Sequence, residues 1–88
     1  MERIRITLNV QKEKFTDFDE YLNEMVWGLR NNAQVDDIVW TGRNELIIAL
    51  SVEDRDEKWA VLSELLTWVY CEQYGDNIDI TEVKCDAL

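Results

Sequence analysis

Eighty-eight residues suffice for one domain, spanning 1–88, with a single core and no room for a second. The chain is 47% hydrophobic, holds four tryptophans, and sets nineteen acidic against nine basic residues for a net charge of −10. It contains no histidine and two cysteines, so catalysis or metal binding built on imidazole is excluded.

The charge is uneven. Residues 1–14 sum to +2 and residues 15–88 to −12. A field of that sign repels nucleic acid and anionic membrane and attracts basic surfaces. No apolar run approaches the roughly 18 residues of a membrane span. Met1-Glu2-Arg3-Ile4-Arg5 has neither the apolar stretch nor the small-residue site of a signal peptide, so a cytoplasmic protein with reduced thiols is expected.

Residues 3–10 alternate without a break: Ile4, Ile6, Leu8 and Val10 face one way, Arg3, Arg5, Thr7 and Asn9 the other. This is a strand with one buried face. Thr16 with Asp19 resembles a capping box and opens a helix over 17–31, with Phe18, Leu22, Met25 and Leu29 as its inner stripe and Tyr21 and Val26 on the flanks. Asn31 and Asn32 suit a left-handed C-terminal cap. Two β-rich runs, 35–41 and 45–52, flank Gly42-Arg43-Asn44 and predict a hairpin. Asp54 with Glu57 caps a second helix over 55–74, whose inner stripe is Leu62, Leu65, Leu66 and Val69, with Gly75 as its terminal glycine. A last strand covers 78–85, with Ile78 and Ile80 inward and a pattern that blurs after Glu82.

The order β-α-β-β-α-β predicts an α+β, ferredoxin-like sandwich: a four-stranded antiparallel sheet with both helices on one face and spatial order 4-1-3-2. That topology hosts many functions, so the site must decide.

Phosphate-binding glycine loops, nucleophile elbows and zinc spacings are all missing from the sequence. The acidic run 53–57 lacks the glycine and later glutamate of a calcium loop and reads as a capped helix start, so no metal and no cofactor are expected. Strand-order geometry sets Cys71 and Cys85 too far apart for a disulfide. The outward positions of the two central strands carry no aromatic platform, which argues against direct nucleic-acid reading.

Two surfaces stand out. Trp27 lies 180° around the first helix from Phe18, on the side of Asp17, Glu20 and Glu24, which makes an acidic stripe ending in an indole. The bland alternative is a frayed or rotated helix, or a Trp folded over its neighbours. The predicted topology also gathers Asp36, Asp37, Glu53, Asp54, Asp56 and Glu57 at one end of the sheet, with Glu2 and Asp86 nearby. Solvated loops and helix caps are the bland reading of that rim.

Together these features predict a non-enzymatic protein-binding domain. The leading reading is an inhibitor or antagonist of a basic nucleic-acid-handling protein, a nuclease or CRISPR-type complex, acting by charge mimicry with aromatic anchors. Small acidic phage-encoded or bacterial antagonists act in this way, an analogy of size and charge alone. The rivals are a homodimer or assembly module pairing through the open sheet face (Val39, Ile47, Ala49 and Val83), a small-molecule regulatory domain, and a small enzyme using its carboxylates.

Overall fold

The computed structural model describes residues 2–71 and 75–87. Its elements are β1 (Glu2–Val10), α1 (Phe18–Arg30), β2 (Gln34–Trp40), β3 (Glu45–Val52), α2 (Arg55–Val69) and β4 (Ile78–Ala87), with single 3-10 turns at Lys12–Lys14 and Gly75–Asn77. The sheet has the order β2-β3-β1-β4, which is 4-1-3-2 read from the other edge, and all three strand pairs are antiparallel.

The alternation in β1 is realised: Ile4, Ile6, Leu8 and Val10 are buried, and Leu46, Ile48, Leu50 and Val52 of β3 lie opposite or beside them. Both helices join that same buried cluster, through Phe18, Tyr21, Met25 and Leu29 from α1 and Val61, Leu65 and Val69 from α2. Most of the driving force lies here, since fully burying a large aliphatic side chain is worth about 1.5–3 kcal/mol.

Several local expectations are corrected. The N-cap of α1 is Asp17, whose carboxylate accepts from Glu20 N–H at 3.0 Å, one residue after the proposed Thr16. Asn31 ends the helix in a right-handed conformation, φ −69°, and no left-handed cap is used. Helix α2 stops at Val69, capped by Tyr70; the predicted end at 72–74 lies outside the described residues, and Gly75 opens a 3-10 turn instead of capping the helix. The hairpin does use left-handed backbone, at Gly42 (φ +82°) and Asn44 (φ +61°), as a short β-turn requires.

The inner stripe of α2 is also rotated. Leu65 is fully buried, but its neighbour Leu66 is 43% exposed and Leu62 only half-buried, while Val61 takes the inward place. In α1 both flanking residues, Tyr21 and Val26, are buried and Leu22 is peripheral.

Each edge strand contains a bulge. In β2 the partners run Val35–Leu50 and then Asp37–Ala49, leaving Asp36 unpaired. In β4 they run Ile80–Leu8 and then Glu82–Thr7, leaving Thr81 unpaired, with its hydroxyl donating to the Thr7 carbonyl at 3.2 Å. The β4 bulge reverses the alternation that follows. Val83 lies opposite Ile6 and Cys85 opposite Ile4, so Val83 faces the helix side and not the open sheet face where the sequence had placed it. This is the cause of the pattern that blurs after Glu82.

Candidate functional site

The α1 surface is built as its periodicity implies. Asp17, Glu20, Glu24 and Trp27 are all exposed, and Trp27 is 70% accessible, so the indole is not folded over its neighbours. Its floor comes from α2. Gly28 lets the helices approach so closely that an added Cβ would collide with the Glu64 carboxylate and touch the Trp68 indole. Trp68 is fixed there by its own ring N–H, which donates to Glu64 at 3.1 Å. Tyr21 adds an edge-on ring contact at 5.5 Å and donates its hydroxyl to the Trp68 carbonyl at 3.1 Å.

The result is an open, mainly apolar groove of about 530 Å³ lined by Asn23, Glu24, Trp27 and Trp68. A second hollow of about 220 Å³ continues along α1, lined by Thr16, Asp17, Glu20, Tyr21 and Glu24. Glu24 lines both. Carboxylates therefore lead along one helix into a two-tryptophan groove. Trp68 was missed in the sequence, although its spacing from Leu65 already turned it off the core stripe.

The acidic rim is only partly assembled. Glu53, Asp54, Arg55, Lys58, Trp59, Leu62 and Glu2 line one hollow of about 690 Å³ at the start of α2. Here Asp54 accepts from Glu57 N–H at 2.8 Å, and the Glu57 carboxylate accepts from Glu53 N–H at 3.3 Å. Two of the acids thus satisfy backbone donors at the helix N-terminus, while Asp56 stays exposed in its first turn.

Asp36 and Asp37 do not join them. The Asp36 carboxylate accepts from the Ser51 hydroxyl, and Asp37 lies opposite Ala49, both on the open face of the sheet. The β2 bulge is the reason, since it turns successive aspartates to that face. Asp86, opposite Arg3, belongs to the open face as well.

Lys58 pairs with Glu2 at 3.3 Å, and the Cys85 side chain and the Glu2 carboxylate hold its ammonium above the ordinary value. Cys85 is exposed, Cys71 is half-buried, and both sulfurs are free. Among the described residues no helix is long and apolar enough to cross a membrane, and no three Cys, Asp or Glu side chains group as metal ligands would.

No protein-family model matches the chain, and comparison with curated proteins finds no significant match. The geometry alone carries the functional argument.

Proposed function

We propose that this chain is an acidic, non-enzymatic protein-binding domain that occupies the basic, nucleic-acid-binding surface of another protein and so antagonises it, with a nuclease or CRISPR-type complex as the class of target. The observation that carries this reading is the continuity along α1, where Asp17, Glu20 and Glu24 lead into the groove holding the exposed Trp27. Carboxylates steer a basic partner and set its register, and a desolvated indole supplies most of the affinity. The start of α2, with Glu53 and Asp56, extends the acidic field on a second surface. A ferredoxin-like sandwich is the architecture we assign, supported by the strand order and the antiparallel pairing. Action in the cytoplasm accords with the two free thiols.

The test is binding to a panel of purified basic nucleases and RNA-guided nuclease complexes over a range of salt concentrations. At least one member is expected to bind, with affinity that falls steeply as salt rises. Trp27→Ala should speed dissociation by a loss of about 2 kcal/mol. Glu20→Lys with Glu24→Lys should slow association and flatten the salt dependence. Binding that ignores both variants would reject the α1 surface, and a panel without a binder would reject the target class.

A further inference from the structure

Six large hydrophobic side chains stand exposed among the described residues, and four of them, Trp59, Leu66, Tyr70 and Val83, lie on one flank. On α2, residues 59, 66 and 70 fall within about 40° of one another, with Leu62 beside them. Val61, Leu65 and Val69 point into the core, and Glu64 and Trp68 toward α1. The apolar stripe is therefore on the side away from α1, above β4. That strand is an edge of the sheet, and its bulge turns Val83 up toward the stripe. An unpaired strand edge beside an uncovered helix flank offers two bonding surfaces to one occupant.

We infer that the occupant is a second copy of this chain, related by a two-fold axis through Val83 or Cys85 that pairs β4 with β4 and packs α2 against α2. The charges on β4 narrow the register. Helices on the same side of a joined sheet require residues of like facing to pair, which leaves two-fold axes through Val83, Lys84 or Cys85. An axis through Lys84 sets that lysine against itself and Glu82 against Asp86. An axis through Val83 sets Glu82 against Lys84 of the other copy, twice, and opposite charges directly across a strand pair are stabilising. The Glu82–Lys84 ion pair, 3.1 Å within one chain, shows both side chains on the same outer face.

An axis through Cys85 likewise sets Lys84 against Asp86 of the other copy, twice, so opposite charges meet across the strand pair in either register. Rising about 1.5 Å per residue along α2, Leu62 and Leu66 stand about 4.5 and 10.5 Å beyond Trp59, a span of about three β4 residues at ~3.3 Å each. A two-fold through this stretch of β4 sets the Trp59, Leu62 and Leu66 stripe of one copy against that of the other. The molecule measures 36 × 23 × 18 Å, so such a contact buries on the order of 600 Å² per chain, somewhat under the ~800 Å² of a standard interface. A contact of that size suits a weak, reversible dimer, opposed at low salt by the −10 charge on each chain.

Sedimentation velocity on the full chain, up to about 500 μM, tests this, because mass action reveals a dimer of that strength. A monomer–dimer equilibrium that tightens as salt rises is expected. Leu66→Glu should weaken it by about tenfold or more with an unchanged melting curve in dilute, monomeric protein, since Leu66 lies outside the core. Lys84→Glu should weaken it too, and it should be restored at the original net charge by adding Glu82→Lys if the axis runs through Val83, or Asp86→Lys if it runs through Cys85. Rescue by one of these swaps and not the other, at equal net charge, marks the facing pair. A chain that stays monomeric throughout, a dimer indifferent to Leu66→Glu, or swaps that both fail or that rescue equally overturn the proposal. The opposite response to salt, and the indifference of the dimer to Trp27→Ala, separate its failure from failure of the α1 reading.

Discussion

Helices α1 and α2 both open on an aspartate whose carboxylate accepts from the backbone N–H three residues on, yet they show solvent opposite surfaces. Outside its buried stripe α1 is polar and acidic, with one large hydrophobe, Trp27. Helix α2 is apolar on two sides: Val61, Leu65 and Val69 serve the core, while Trp59, Leu66 and Tyr70 stand exposed. A helix with one apolar face needs only its own fold to cover it. The second face of α2 costs exposed apolar area unless another molecule covers it. On the proposed readings, a charged, heterologous encounter belongs to α1 and an apolar, self-complementary one to α2.

The sharpest test of the division within α2 is a pair of neighbours. Leu65→Ala, at a fully buried position, should cost about 2–5 kcal/mol, whereas Leu66→Ala should stay within about 0.5 kcal/mol in urea titrations of dilute protein. Equal losses at the two positions would remove the second face. The shared feature comes next. Asp17→Ala and Asp54→Ala should each lower stability by about 1 kcal/mol, because each leaves a first-turn N–H without its acceptor. A thermal melt showing one cap as silent would mark that helix start as frayed.

The smallest effect is expected at Lys58, on the border of the α2 flank. Its ammonium is held above the ordinary 10.5 by the Cys85 side chain and Glu2, so its contribution is fully present below that pH. The contribution is lost as pH rises through the raised value. Lys58→Met should therefore melt slightly below the wild-type protein at neutral pH, and the two curves should converge only in strong alkali. Convergence already at pH 8 would show that the contact with Cys85 and Glu2 does not persist in solution.

The sheet was legible because its signal has period two: Ile4 to Val10 and Leu46 to Val52 each alternate over a full strand and leave one solution. The exposed Trp27 was legible for the same kind of reason, as a residue half a turn from a clear stripe. The second helix was not. With Trp59, Leu62, Leu65, Leu66 and Val69 all apolar, more than one stripe satisfies a period of 3.6, and the choice between Leu66 and Val61 depends on tertiary packing. The spacing of Trp59, Leu66 and Tyr70 was nonetheless a readable sign of a second face. The rim was legible only in part, for a different reason. One unpaired residue at Asp36 decides which face its neighbours take, and local sequence does not announce a bulge.

The two bulges have a further consequence, for slippage. A uniformly alternating strand can slide by two residues along its neighbour and keep every side chain on its proper face, so only end effects fix its position. A strand carrying one unpaired residue loses that freedom, since any shift would place the odd residue against a regular rung. Asp36 and Thr81 lock β2 and β4 in this way, Asp36 through the Ser51 hydroxyl and Thr81 through the Thr7 carbonyl. Both outer strands of the sheet are thus held to a single alignment, and an incoming strand meets one fixed sequence of donors and acceptors, not a sliding family of them.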